Sequence, residues 1–231
     1  MRAFLGRIYR AAIATRLSEV SRQVRRERLT YLPPQKLRSL ERLVAALERD
    51  GVDGSFIECG VALGGSAIVL AKLGDRPFAG YDVFGMMPAP GPDDPPSIHA
   101  RYAEVTSGRA AGIGGDDYYG YRDDLVHAVE QAFASAGLCV DGTRIALHAG
   151  LFEHTLRPER PVALAHIDCD RHDPVALCLE RIWPVLSPGG VIVLDDYTGA
   201  GACGTATDTF LDTHSDATLT ATRPHGIIRK R

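Results

Sequence analysis

Apolar and polar positions along the chain follow two periods, and together these periods predict the elements of the fold. Short apolar runs typical of buried strands are separated by stretches in which apolar residues recur at helical spacing. The predicted strands are 55–61, 78–83, 144–148, 162–167, 191–194, 216–222 and 225–230. The predicted helices are 35–49, 65–73, 98–107, 122–136, 174–186 and 202–213. This alternation is typical of a doubly wound α/β fold, with a mostly parallel seven-stranded sheet covered by helices on both faces.

The N-terminal part of the chain differs from the rest in charge and pattern. Residues 1–32 contain eight arginines but only two glutamates. Apolar side chains recur there at helical spacing, as Leu5, Ile8, Tyr9, Ala12, Ile13, Leu17 and Val20. The pattern predicts a basic amphipathic helix that packs on its own domain or on a sister subunit; binding to an anionic membrane or an acidic partner is the alternative. We therefore expect a helical extension at 1–50, a single domain at 51–231 and a homo-oligomer.

Composition and charge restrict the possible functions. The 231 residues are 45% hydrophobic and carry a net charge of −3, which argues against a protein built to bind nucleic acid. No apolar run is long enough to span a bilayer, and arginines interrupt any secretory signal near the N-terminus. The five cysteines are scattered without a C-x-x-C pair, which argues against a disulfide framework and a zinc site. We expect a cytoplasmic protein.

The first predicted strand leads through a glycine-rich turn into a helix. A turn of this kind places bare backbone and a helix N-terminus beside a ligand. Gly60 suits a sharp turn, whereas Gly64 and Gly65 suit close approach of a ligand. Asp82 ends the next strand, where an acidic residue of a doubly wound fold binds ribose hydroxyls. The turn has neither the second glycine of a dinucleotide fingerprint nor the lysine of a P-loop; a plain turn without ligand is the alternative to a nucleotide-type site.

Two later strands end in carboxylates. Asp168 and Asp170 follow one strand, and Asp195 and Asp196 follow the next. In the common strand order 3-2-1-4-5 these two strands are neighbours, so their carboxyl ends bring the aspartates together beside the glycine turn. Clustered carboxylates repel each other unless a cation intervenes, and oxygen ligands favour Mg²⁺. Unrelated turn aspartates, or helix caps in the case of Asp170, are the alternative interpretation.

Several ordered motifs resemble those of one known family, the macrocin O-methyltransferases. The glycine turn, E-x-G-x-x-x-G-G-S, also resembles motif I of class I methyltransferases. The other matching segments are Tyr81-Asp82-Val83-Phe84, the Gly150 to Leu156 segment with Phe152, His166-Ile167-Asp168-Cys169-Asp170, and Leu186 to Tyr197 with its S-P-G-G and D-D-Y elements.

This resemblance implies a class I methyltransferase that binds S-adenosylmethionine and Mg²⁺ and methylates a hydroxyl of a small metabolite, such as a sugar or a glycosylated natural product. It implies a cofactor site formed by Glu58, Gly60, Gly64, Gly65, Ser66, Asp82, Gly150 and Phe152. It implies Asp168, Asp195 and Asp196 as metal ligands and Asp170 as the general base. His172 replaces an aromatic residue of the family and is a second catalytic candidate. A catechol-type methyltransferase and a non-catalytic docking module are the alternatives.

Overall fold

The computed structural model describes residues 16–198 and 201–230. The helices are α1 (Glu19–Arg26), α2 (Pro34–Arg49), α3 (Gly65–Leu73), α4 (Pro96–Thr106), α5 (Leu125–Ser135), α6 (Phe152–Thr155), α7 (His172–Ile182) and α8 (Ala202–Thr213). The strands are β1 (Ser55–Cys59), β2 (Phe78–Asp82), β3 (Ile145–Ala149), β4 (Val162–Ile167), β5 (Leu186–Leu194), β6 (Ala217–Ala221) and β7 (Gly226–Lys230). Three further segments, Ile113–Gly115, Tyr119–Tyr121 and Trp183–Val185, form 3₁₀ turns.

The seven strands form one sheet in the order β3-β2-β1-β4-β5-β7-β6. Strands β1 to β5 pair in parallel, whereas β7 lies antiparallel between β5 and β6. The predicted doubly wound α/β fold with a mostly parallel seven-stranded sheet is confirmed. Because the order reverses between β1 and β4, a crevice opens at the carboxyl ends of these two strands.

Strand β5 begins earlier than the sequence predicts. The Ser187-Pro188-Gly189-Gly190 segment was expected to be a turn because of its proline and glycines, yet it belongs to the strand. Leu186 pairs with Val162, and the register then shifts so that Val191 pairs with Leu164. The extra residues therefore form an irregular start of the strand, which tolerates proline and glycine because the regular ladder resumes only after them.

Apolar residues pack on both faces of the sheet. One face is covered by α1, α2, α3 and α5, and the other by α7 and α8. The apolar side chains of α1 and α2 belong to the same core as those of the sheet, including Val20, Val24, Leu37 and Leu40. Leu17 and Val20 of the predicted amphipathic helix are buried, whereas its earlier apolar positions lie outside the described residues.

Leu40 tests whether α2 is part of this core. Its side chain is fully buried, so Leu40→Ala leaves a cavity and is expected to lower the free energy of unfolding by about 2–5 kcal/mol. Leu40→Met nearly conserves the volume and should cost less than about 1.5 kcal/mol. Urea unfolding followed by far-UV circular dichroism measures both values. Even a small void costs ~1 kcal/mol, so a loss below ~1 kcal/mol for the alanine variant would show that α2 packs loosely.

Candidate active site

The carboxyl ends of four parallel strands meet at one cavity of about 650 Å³. Gly60 follows β1, Asp82 ends β2, Asp168 follows β4, and Asp195 follows β5; all four residues line the cavity. The main chain locks these ends together, because the N–H of Asp168 donates to the carbonyl of Cys59 at 2.8 Å. The glycine turn and the acidic residues therefore open into the same cavity.

The glycine turn is fixed by its own strand and by Asp82. Gly60 has a φ of +97°, and a Cβ atom there would lie 1.9 Å from the carbonyl oxygen of Asp168, so any larger residue would clash with the backbone. The N–H groups of Val61 and Ala62 donate to Oδ2 of Asp82 at 2.8 and 2.9 Å, and the N–H of Phe84 donates to Oδ1 at 2.8 Å. Asp82 thus shapes the turn and also lines the cavity.

The two glycines after the turn have a packing role that the sequence did not reveal. We expected Gly64 and Gly65 to let a ligand approach, but a Cβ at Gly65 would lie 2.4 Å from the carbonyl oxygen of Leu29. The N–H of Gly65 donates to that same carbonyl at 2.9 Å. Gly64 instead faces the side chains of Val129 and Phe133. The close neighbour at this point is the segment after α1.

Of the eight residues that the resemblance assigns to the cofactor, three line the cavity in the described part of the chain: Gly60, Asp82 and Phe152. Gly64, Gly65, Ser66 and Gly150 are not among its lining residues, and the N–H of Gly150 donates to the carbonyl of Asp82 at 2.9 Å. Glu58 is fully buried on β1, where its Oε1 lies 2.6 Å from Nδ1 of His166 on β4. The contact that the structure shows for Glu58 is the one with His166, and its part in cofactor binding stays a prediction.

The acidic residues form a compact set at the bottom of the cavity. Asp168, Asp195 and Asp196 each offer an oxygen, and these oxygens lie within 4.8 Å of one another. Burial, followed by the charge of Asp195, raises the pKa of Asp168 well above its ordinary value. Desolvation, followed by the nearby Asp196, raises the pKa of Asp170. Such a set of oxygens held close together fits a divalent ion such as Mg²⁺.

Lys36 is a site residue that sequence reasoning missed. Its ammonium group donates to Oδ2 and to the carbonyl oxygen of Asp195 and lies 3.6 Å from Oδ1 of Asp196. Burial alone would lower the pKa of Lys36, but Asp195 and Asp196 outweigh it and raise the pKa. The lysine is 159 residues from Asp195 in sequence, so no local motif connects the two. Only the packing of α2 on the sheet brings them together.

We predict that Lys36→Met weakens the fold mainly when divalent metal is absent. The change leaves the aspartates without their cation, and the expected loss is about 1–3 kcal/mol, below the ~3–5 kcal/mol of a fully buried pair because the Lys36 side chain stays partly exposed. Mg²⁺ should restore more stability to this variant than to the wild type. The measurement is urea unfolding with and without Mg²⁺.

Lys72→Met is the matched control, since Lys72 lies on α3 and donates to the carbonyl of Ala136 at the surface. We expect a small loss that is the same with and without Mg²⁺. If Lys36→Met and Lys72→Met behaved alike in the absence of metal, Lys36 would have no special link to the aspartates.

His172, the second catalytic candidate, begins α7 and does not line the cavity in the described part of the chain. Its N–H donates to Oδ1 of Asp94 at 2.8 Å, and its Nδ1 lies 2.8 Å from Oδ1 of Asp173. Asp94 in turn accepts from the N–H of Gly91 at 3.0 Å. The main-chain contact with Asp94 fastens the proline-rich loop at 85–96, which forms one side of the cavity, to the start of α7. The catalytic role of His172 stays a prediction.

Aromatic residues form the outer wall of the cavity. Tyr31, Tyr118 and Tyr119 all line it, and the ring of Tyr119 packs on both of the others, at 6.1 Å from Tyr31 and 4.5 Å from Tyr118. Tyr121 donates from its hydroxyl to the carbonyl of Val105 at 2.6 Å, which anchors the segment on α4. The tyrosine-rich segment 112–121 therefore packs on its own domain and also faces the cavity.

The strand order and the joint cavity define the class. The fold is that of class I, S-adenosylmethionine-dependent methyltransferases. The profile of the Macrocin-O-methyltransferase (TylF) family matches residues 10–221. The chain therefore belongs to the macrocin O-methyltransferase family, as the motifs indicated.

Two named relatives and one solved structure are similar to this chain. The 8-demethyl-8-(2,3-dimethoxy-alpha-L-rhamnosyl)-tetracenomycin-C 4'-O-methyltransferase of Streptomyces olivaceus is 32% identical over 179 residues, which cover 73% of this chain and 62% of the relative. The mycinamicin III 3''-O-methyltransferase of Micromonospora griseorubida is 29% identical over 196 residues, covering 80% and 71%. The structure of the O-methyltransferase NovP superposes with a TM-score of 0.70 at 20% identity, covering 87% of this chain and 81% of NovP. The chain thus spans less than two thirds of the first relative's length.

Proposed function

We propose that this protein is an S-adenosylmethionine- and Mg²⁺-dependent O-methyltransferase that acts on a sugar hydroxyl of a glycosylated natural product. The observation that carries the proposal is the joint cavity, in which the glycine turn with Asp82 faces the aspartates that follow β4 and β5. In this proposal the cofactor lies over Gly60 and Asp82, and the acceptor hydroxyl lies above the aspartates. Both reactants then meet inside one enclosed volume.

In the proposed site, Asp168, Asp195 and Asp196 hold the metal. A bound Mg²⁺ supplies positive charge that stabilises the acceptor oxygen as it becomes a nucleophile. Asp170 opens to the same cavity, so its carboxylate can accept the hydroxyl proton of the acceptor. The reaction forms a bond between the acceptor oxygen and the methyl carbon, breaks the bond between that carbon and sulfur, and transfers the hydroxyl proton to Asp170.

Exposed apolar side chains at the rim of the cavity favour an acceptor that has an apolar part. The large apolar side chains with the highest exposure among the described residues are Tyr31, Met86 and Leu151. Tyr31 and Leu151 line the cavity, and Met86 lies between two residues that do. Exposed apolar surface around a polar pocket is typical of a binding site. An aglycone resting on this rim would place its attached sugar over the aspartates, in agreement with the glycosylated compounds named for the two relatives.

The test is a methyl-transfer assay in which mass spectrometry detects the addition of one methyl group. A rhamnosylated aromatic polyketide, its aglycone and a simple catechol are each incubated with S-adenosylmethionine, with Mg²⁺ or with EDTA. We expect methylation of the glycoside alone, and only with Mg²⁺. Methylation of the catechol but not the glycoside would favour the catechol-type alternative. Absence of S-adenosylmethionine binding in calorimetry would favour the docking module.

A further inference from the structure

A buried group of side chains adjoins the aspartates and shares only Asp195 with the proposed reaction site. It consists of His166 on β4, Asp195 after β5 and His225 before β7, which are 0%, 7% and 1% exposed. Nε2 of His225 lies 3.1 Å from Oδ1 of Asp195, and Nε2 of His166 lies 3.7 Å from the same oxygen. The second oxygen of Asp195 faces Lys36. The two oxygens of one carboxylate therefore serve two different sets of groups.

The atoms that face each other in this group lack hydrogen-bond partners. Nε2 of His166, Oδ1 of Asp195 and Nε2 of His225 are buried, and none of them makes a contact with hydrogen-bond geometry in the described part of the chain. A buried polar atom without a partner costs about 1–3 kcal/mol. Three such atoms converging within 4.8 Å of one another are therefore expected to share a ligand.

The arrangement around His166 matches that of a metal-binding histidine. Its Nδ1 lies 2.6 Å from Oε1 of Glu58, so a proton on Nδ1 can be donated to that carboxylate and leave a lone pair on Nε2. A carboxylate behind a histidine in this way fixes the ring and strengthens it as a ligand. Because Glu58 and His166 are paired residues on neighbouring strands, the sheet itself sets this orientation.

The spacing of the three atoms also suits an ion. Two ligands that each lie ~2.1 Å from a tetrahedral ion are about 3.4 Å apart, and the contacts of 3.1 and 3.7 Å lie on either side of that value. We propose that His166, His225 and Asp195 bind a first-row transition-metal ion of the Zn²⁺ or Fe²⁺ type, at a site next to the oxygen-lined Mg²⁺ site, with Asp195 shared between the two. Two imidazoles and one carboxylate are the donor set that such ions prefer over Mg²⁺.

The site would have a structural and positioning role. Its three ligands come from β4, from the end of β5 and from the turn before β7, so an ion there ties the antiparallel edge of the sheet to its centre. It also fixes Asp195 from the side that faces away from the cavity. A proton on His166 is the competitor, because burial lowers the pKa of His166 but Asp195 and Glu58 outweigh it and raise the pKa well above the ordinary value. This inference goes beyond the proposed function and does not depend on it.

The experiment titrates metal-stripped full-length protein with Co²⁺ in the presence of excess Mg²⁺, which occupies the oxygen site. Bound Co²⁺ reports a site containing imidazole through its visible absorption, independently of activity. We expect one equivalent to bind to the wild type, and Zn²⁺ to displace it. Absence of this absorption in the wild type would overturn the proposal.

Four variants locate the ion. His225→Gln should lower the Co²⁺ affinity at least about 10-fold, and Glu58→Gln about 10–100-fold through the orientation of His166. His148→Gln should leave the affinity unchanged, since His148 lies on β3, stacked on Tyr81. Asp168→Asn should retain Co²⁺ binding, because Asp168 belongs to the oxygen site and is not one of the three proposed ligands. Circular dichroism checks that each variant is folded, and Glu58→Gln provides an independent result if His225→Gln is not. Unchanged affinity in the folded His225 or Glu58 variants, or loss of binding in Asp168→Asn, would contradict the site.

Discussion

Replacing Asp168 with asparagine is expected to lower the methyl-transfer rate about 10³-fold at saturating Mg²⁺, which corresponds to ~4 kcal/mol of transition-state stabilisation. The side chain belongs to the set of three carboxylates whose oxygens lie within 4.8 Å of one another, so its loss removes one ligand from the proposed metal. The fold should persist, because the neighbouring strands are held by the backbone N–H of Asp168 and not by its carboxylate. The measurement is kcat with the rhamnosylated acceptor, together with the melting temperature.

Asp212→Asn provides the matched control, because Asp212 is an exposed residue on the last turn of α8. It receives the same chemical change far from the carboxyl ends of the strands and should keep the full rate. S-adenosylmethionine affinity, measured by calorimetry, should be unchanged in both variants. Full activity of Asp168→Asn in the presence of EDTA would remove the metal from the proposal.

Gly60→Ala is expected to be the most damaging single methyl addition in the turn. A Cβ at this position would lie 1.9 Å from the carbonyl oxygen of Asp168, and φ is +97°. Relief of that overlap would require the ends of β1 and β4 to separate, so we expect a loss of about 3–5 kcal/mol from combined backbone strain and overpacking. The affinity for S-adenosylmethionine should fall at least about 10-fold, because the turn under the proposed cofactor site is displaced.

Gly142→Ala separates the cost of backbone strain from the cost of the steric overlap in this prediction. Gly142 has a φ of +74° but open space around the added carbon, so only the backbone strain remains and the loss should be about 1–2 kcal/mol. Both variants are compared by urea unfolding and by calorimetry with S-adenosylmethionine. Equal losses in the two variants would show that the contact with Asp168 does not restrict Gly60.

The sequence predicts the fold because apolar periodicity is a local property. The alternation of strands and helices is visible from residue 55 onwards, and glycines or prolines mark most of the turns. The start of β5 was predicted too late for the same reason: Pro188 and Gly189 resemble a turn locally, whereas the pairing of Leu186 with Val162 extends the strand. The single turn of α6 is too short to produce a period. Local signals therefore identify elements better than their ends.

The candidate site is predictable only where a strand end carries it. Asp82, Asp168 and Asp195 were found because parallel strands end at one edge of the sheet. Lys36 could not be found, since its contact with Asp195 depends on how α2 packs on the sheet. Glu58 was assigned to the cofactor as part of a motif, although the pairing of β1 with β4 directs it to His166. Contacts between distant elements are set by packing, which one sequence does not reveal.

The compartment, the homo-oligomer and the membrane or partner contact of the N-terminal helix stay predictions. Among the described residues, no helix combines the length and the apolar character that crossing a bilayer requires. The arginines of α1 that the structure describes are partly engaged locally, since Arg22 and Arg26 both pair with Glu19. The division into an extension at 1–50 and a domain at 51–231 is likewise a prediction. The Leu40→Ala measurement tests it, because Leu40 lies in the predicted extension but packs in the core of the domain.

The most direct test of the joint site is a crystal structure of the protein with S-adenosylhomocysteine and Mn²⁺, in which anomalous scattering locates the ion. We expect the homocysteine sulfur above Gly60, the ribose at Asp82, and the Mn²⁺ among Asp168, Asp195 and Asp196 in the same cavity. Nucleoside and ion in separate cavities, or no ion at the three aspartates, would contradict the account.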